Sequence, residues 1–275
     1  MTDRAVAARK QPAELVFTEE HAVEFPPISA GSLLGGDVHN IALFLDCDGT
    51  LLDIAATPGE VRVPTGLVEL LKRISDGLGG ALALLTGRQL AEIDMLLTPI
   101  EFIGAGVHGA ELRMLPGGAV TRITNSLPAA LIDDVMHHVQ KLPGIIAEPK
   151  GPGIAVHYRL APHLAPSLEA ELRALVARHA DDLVLCPGRQ LFEIIPAGHS
   201  KGTALETMLK LPDFAHRKPI MIGDDVGDIP ALEAAFRLGG AGLRVAGEQF
   251  RKGAEFAGPA EVISWLQRLE LLLRK

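Results

Sequence analysis

The sequence predicts an α/β protein: a Rossmann-like parallel-sheet core domain with a smaller α+β domain inserted into it. Apolar runs at residues 41–45, 81–85 and 219–222 each break into a polar, glycine-containing tip, as buried parallel strands do at their carboxyl ends. Between residues 113 and 197 the elements shorten and take the order αββαββ, and after residue 198 the longer pattern returns. The chain therefore divides into an N-terminal tail, 1–36, a core from 37–112 and 198–275, and an inserted cap, 113–197.

Residues 41–52, IALFLDCDGTLL, are the first strand and its tip. In extended chain, residues i and i+2 project to one side, so Asp46 and Asp48 can reach one point, while Gly49 turns the chain and Thr50 can hydrogen-bond the loop. Two close carboxylates repel unless a cation or a shared proton relieves them. A solvated Asp-Gly turn is the plain alternative, and the repetition of the design later in the chain argues against it.

Leu67, Leu70, Leu71 and Ile74 have helical spacing within residues 64–77, with Pro at the start and Gly at the stop. The second strand, 81–85, delivers Thr86, Gly87 and Arg88, and Leu90, Ile93 and Leu97 mark a helix behind it. Residues 102–107 form a third run leading to His108 and Glu111, which shape a hinge or the mouth of a site.

A hairpin is expected over 113–124 around Pro116, Gly117 and Gly118, then a helix through Leu131, Val135 and Val139. Strands 145–150 and 153–159 flank a Gly-Pro-Gly turn; a helix over 166–180 and strands 183–186 and 191–195 complete the cap. Beyond it come a helix at 202–210, the strand 219–222 ending in Asp224, Asp225 and Asp228, a strand at 243–245 and a closing helix at 259–273. Trp265 keeps the spacing of its apolar neighbours and reads as core.

Composition bounds the function. A formal charge of -8 argues against nucleic-acid or anionic-membrane partners. No run of apolar residues is long enough to span a membrane, and residues 1–36 lack the apolar core of a signal peptide. Cys47 and Cys186 have no metal-ligand spacing, and a reduced, cytoplasmic protein with a mobile or loosely docked tail is expected.

Asp46/Asp48, Thr86, Lys201 and Asp224/Asp225/Asp228 lie far apart in sequence yet can all meet at the carboxyl edge of one parallel sheet. Carboxylates grouped around one lysine suggest a divalent cation, and Mg²⁺ is the usual guest of few carboxylates plus water and phosphate. In phosphoryl transfer such a cation shares the charge with a lysine and a hydroxyl, while an aspartate can serve as nucleophile.

The order DCDGTL at Asp46, LLTGR at Thr86, SKG at Lys201 and GDDVGD at Asp224 resembles the haloacid-dehalogenase superfamily of phosphotransferases. The resemblance runs from about Ile41 to the C-terminus. It implies Asp46 as nucleophile, Asp48 as acid and then base, and Thr86 and Lys201 on the phosphoryl oxygens. It also implies Mg²⁺ held by Asp46, the Asp48 main-chain carbonyl and Asp224, with Asp225 and Asp228 in support.

Within that superfamily the insert is similar to the cap of the trehalose-6-phosphate phosphatases, through GVHGAELR at 106–113, EPK and HYR between Glu148 and Arg159, and FEIIPAGHSKG at 192–202. The similarity implies trehalose 6-phosphate as substrate and a trehalose-6-phosphate synthase as functional partner. It further implies substrate contacts at Gly87, Arg88, His108, Glu148, Lys150, His157, Arg159 and Glu193. Strand alternation independently puts Glu148 with Lys150, and His157 with Arg159, on what can be one polar face suited to sugar hydroxyls. The chain departs from many relatives at Gly227, Ile229, Ile195 and Ser200, which touches substrate contacts and the surroundings of the metal rather than the aspartates. Alternatives are a phosphatase for sucrose phosphate or a glycosyl-phosphoglycerate, and a sugar-phosphate sensor without turnover.

Overall fold

The computed structural model describes residues 28–55, 60–123, 126–179 and 182–275. A short helix, α1 (Ala30–Leu33), leads into β1 (Ile41–Leu45), which is buried at every position. Helix α2 (Leu67–Gly77) buries Leu67, Leu70, Leu71 and Ile74, the stripe set by its 3-4 spacing. Strand β2 (Leu82–Leu85), helix α3 (Leu90–Leu96) and strand β3 (Ile103–Gly106) follow. Two antiparallel strands, β4 (Glu111–Arg113) and β5 (Thr121–Arg122), close this half.

The cap comprises α4 (Ala129–Val139), β6 (Ile146–Lys150), β7 (Gly153–His157), α5 (Ala165–His179), β8 (Leu183–Gly188) and β9 (Leu191–Pro196). The core resumes with α6 (Lys201–Met208), β10 (Lys218–Gly223), α7 (Ile229–Arg237), β11 (Ala241–Arg244) and α8 (Pro259–Leu273).

The core sheet runs β11-β10-β1-β2-β3-β4-β5, with β1 parallel to both β10 and β2. Register aligns Leu45 with Ile222 and with Leu84, so the tips of these strands, Asp46, Asp224 and Thr86, emerge side by side. That places the acids at the carboxyl edge of a parallel sheet, as the strand pattern predicts.

The cap sheet is antiparallel in the order β6-β7-β9-β8. Its Ile154, Val156, Phe192 and Ile194 pack with Leu131, Val135, Leu168 and Leu172 of the two cap helices. Cross-strand partners share a face. Pairing Glu148 with Ala155, Ala155 with Glu193 and Ile146 with His157 therefore puts Glu148, Lys150, His157 and Glu193 on the other, helix-free face.

Two expectations are corrected, and one helix is added. The hairpin grouped with the cap from residue 113 instead extends the core sheet: β4 pairs with β3, Gly104 opposite Arg113, and β5 pairs with β4. Arg113 is held there by Asp94 at 2.6 Å through both carboxylate oxygens, a tertiary partner that hairpin chemistry does not reveal. The segment from Ile28 to Gly36, read as the end of a loose tail, docks on α8: Trp265 donates its indole N–H to the Ala30 carbonyl at 2.7 Å, and Ala30 and Leu34 are buried. Residues 1–27 of that tail, together with 124 and 180 at the ends of the expected hairpin and helix, lie outside the described residues. Helix α7, not anticipated, starts directly behind the acidic tip with Pro230 in its first turn and buries Ile229, Leu232 and Ala235.

Candidate active site

Asp46 follows β1 and is 4% exposed; its backbone N–H is tied to the Ile222 carbonyl at 3.0 Å. The chain then winds into a tight turn in which the Cys47 carbonyl accepts from Leu51 and Leu52 at 2.8 and 2.9 Å. Gly49 sits in the left-handed region at φ 86, and a Cβ there would lie 2.2 Å from Asp224 Oδ2. Glycine is required at this position by conformation and by space.

Lys201 opens α6, which Ser200 caps together with Thr203. Its Nζ lies 2.6 Å from Asp46 Oδ1 and 2.6 Å from Asp228 Oδ1. Asp228 is fully buried, and its second oxygen accepts the N–H groups of Asp224 and Asp225, each at 3.0 Å. Burial works against the charge on Lys201, but Asp228 and Asp46 outweigh it and hold the ammonium well above its ordinary range. Asp228 is therefore an organiser that fixes the lysine and the shape of the acidic loop.

The carboxylate oxygens of Asp46, Asp224 and Asp228 lie within 4.8 Å of one another. Burial, then repulsion from Asp228, raises the Asp46 carboxyl to about 7; burial, then Asp46 and Asp228, raises that of Asp224 to about 9. Asp224 Oδ1 is buried without a hydrogen-bond partner. An orphaned carboxylate oxygen facing a second carboxylate suits a hard divalent cation, so these residues fit Mg²⁺.

Thr86 is 1% exposed, and its Oγ1 accepts the Arg88 N–H at 3.0 Å. Arg88 grips Asp48 with both Nε, 2.6 Å from Oδ2, and Nη2, 2.8 Å from Oδ1, and reaches Glu92 at 3.5 Å. Asp225 caps the acidic turn by accepting from Val226 at 2.7 Å.

The polar face of the cap looks onto this edge. His157 lies 3.1 Å and Lys150 3.7 Å from Glu148 Oε2. Glu193, buried, meets His108 Nε2 of the core. Burial opposes its charge, yet His108, then Lys150 and Lys201, hold the Glu193 carboxyl at about 2, so it is ionised. Arg159 lies beyond the end of β7 and donates to the Ala55 carbonyl in the core.

Arg189, which the sequence did not single out, also bridges cap and core. At the β8–β9 turn its N–H donates to Asp225 Oδ2 at 3.2 Å, and its guanidinium lies 3.7 Å from Asp224 Oδ2. The neighbouring Gln190 reaches Glu248 at 3.3 Å. Only a turn between two strands marks these residues in the sequence.

A family model described as trehalose-phosphatase matches residues 44–238, which span every cluster of the site. The chain belongs to the trehalose-phosphatase family. It is 42% identical over 215 residues to the probable trehalose-phosphate phosphatase of Sinorhizobium fredii, covering 78% of this chain and 81% of that one. It is 35% identical over 238 residues to the trehalose-6-phosphate phosphatase of Escherichia coli, covering 85% and 88%. The fold resembles the C-terminal domain of the Candida albicans trehalose-6-phosphate phosphatase, at TM-score 0.75 and 20% identity over 90% of this chain and 98% of that one. Among the described residues no helix is long and apolar enough to cross a membrane.

Proposed function

We propose that the chain hydrolyses trehalose 6-phosphate to trehalose and phosphate in the cytoplasm, with Mg²⁺ and an aspartyl-phosphate on Asp46. A synthase forming trehalose 6-phosphate would supply the substrate. The observation that carries the reading is the pairing of two surfaces. A buried Asp46–Lys201–Asp224 edge suits phosphoryl chemistry, and a cap face bearing Glu148, Lys150, His157 and Glu193 suits sugar hydroxyls.

Lys201 occupies Asp46 Oδ1, leaving Oδ2 to attack phosphorus along the line of the departing sugar oxygen. The P–O bond to the sugar breaks, and Asp48 gives its proton to that oxygen. Asp48 then takes a proton from water as the water attacks the aspartyl-phosphate, which releases phosphate and restores Asp46. Before substrate arrives Arg88 holds Asp48 through both carboxylate oxygens; the phosphoryl group competes for the guanidinium and releases Asp48 to act on the sugar oxygen. Asp46, Asp224 and the Asp48 carbonyl would hold Mg²⁺, which offsets negative charge on the phosphoryl oxygens. The cap excludes bulk water from the step.

Initial rates of phosphate release from trehalose 6-phosphate, sucrose 6-phosphate and glucose 6-phosphate test the reading. A preference for trehalose 6-phosphate supports it. A preference for another sugar phosphate keeps the core chemistry and removes the cap assignment.

A further inference from the structure

Three of the polar residues on the cap face, Glu148, Lys150 and His157, pair with one another inside the cap. Glu193 is tied to the core instead, through His108 Nε2. An ionised carboxylate only accepts, so the imidazole N–H donates. Glu193 Oε1 receives no hydrogen bond among the described residues and remains for a sugar hydroxyl.

The backbone that carries His108 is itself unusual. Val107 and His108 both lie in the left-handed region, at φ 46 and 52, which a β-branched residue such as valine strongly disfavours. Two hydrogen bonds hold the chain there: the Val107 N–H donates to the Arg88 carbonyl at 3.0 Å and the His108 N–H to the Thr86 carbonyl at 3.1 Å. The imidazole sits in a slot kept open by two glycines. A Cβ on Gly87 would come 2.8 Å from His108 Nε2, and one on Gly227 3.1 Å from Cε1. One residue thus joins the turn bearing Thr86, the loop bearing Asp228 and the cap strand bearing Glu193. Strain maintained by such specific contacts points to a positional demand.

We infer that His108 is a positioning residue for sugar recognition, fixing the Glu193 carboxylate relative to the phosphate-binding turn and so setting the distance between the sugar site and Asp46. The inference rests on the reading of the chain as a trehalose-6-phosphate phosphatase. A substrate whose alcohol is too small to reach the cap does not use this spacing, whereas the disaccharide does.

The test compares kcat/KM for trehalose 6-phosphate with that for 4-nitrophenyl phosphate, in Mg²⁺, for the unmodified enzyme, His108→Asn, Glu193→Gln and the double variant. Asparagine tolerates the left-handed conformation but is too short to reach Glu193. Losing a hydrogen bond to a buried charge predicts that the ratio of the two kcat/KM values falls by about tenfold or more in each single variant. The loss appears as a higher KM for the disaccharide, and the double variant is no worse than the poorer single one. Parallel losses on both substrates, leaving the ratio within about threefold of the unmodified enzyme, overturn the inference, as do losses that multiply in the double variant. If the unmodified enzyme does not turn over trehalose 6-phosphate, the proposed function fails first and this inference with it.

Discussion

Arg88 holds Asp48 through both carboxylate oxygens, at 2.6 and 2.8 Å, a fork-to-fork geometry that fixes the carboxylate plane. The proposed acid and base of the reaction is therefore oriented before substrate arrives, by the residue two positions after Thr86. Replacing Arg88 by Met should leave the fold intact and lower kcat on trehalose 6-phosphate by about 10- to 100-fold, in line with the loss of charge-assisted hydrogen bonds. Lys would not restore it, because an ammonium cannot reproduce the fork. Steady-state kinetics on the two variants checks this, and a full rescue by Lys would show that charge alone matters.

Lys201 lies between two buried carboxylates. Lys201→Met strands both, so it should cost about 3–5 kcal/mol of stability and abolish turnover. Urea denaturation in the presence of a chelator measures the first effect. A loss under about 1 kcal/mol would mean that the pocket is wetter than the burial implies.

Asp224 carries the opposite expectation. In chelator burial and the neighbouring Asp46 and Asp228 push its carboxyl up to about 9, so folding at neutral pH must neutralise it with a proton. Asp224→Asn removes that cost and should raise the melting temperature of the metal-free protein. With Mg²⁺ at a hundred times its Kd the unmodified protein should gain about 2.7 kcal/mol, and the variant little of it. Calorimetric melting with and without Mg²⁺ reads both, and equal metal stabilisation of the two proteins would place the cation elsewhere.

Glu193 gives a pH signature. Its folded carboxyl, at about 2, lies below the ordinary 4.5, so its stabilisation is complete above pH 4.5 and is lost as pH falls from there towards 2. Glu193→Gln lacks this contribution. Its melting temperature should fall less steeply than that of the unmodified protein between pH 5 and pH 3. Parallel slopes in the two proteins would mean that Glu193 is not held ionised by its neighbours.

Asp46, Thr86, Lys201 and Asp224 were legible in the sequence because each is a local event, a polar tip on a buried strand or a helix start, and parallel pairing brings such tips together. The polar cap face was partly legible, since alternation orders Glu148, Lys150 and His157, while Arg159 lies past the end of β7, where strand alternation no longer applies. The β4–β5 hairpin went to the wrong domain because hairpin chemistry fixes a turn, not the sheet the turn joins. Helix α7 was hidden behind the acidic tip, whose charges dominated the reading of that stretch. The pairings of Arg88 with Asp48, Arg189 with Asp225 and His108 with Glu193 join residues 36 to 85 positions apart, and no periodicity encodes such partners.

The most direct measurement of the central claim is the product balance from trehalose 6-phosphate, with Mg²⁺ and with excess chelator. The account predicts trehalose and inorganic phosphate in equal amounts, and chelator abolishing both. Glucose with glucose 6-phosphate as products, or phosphate release indifferent to chelator, would contradict it.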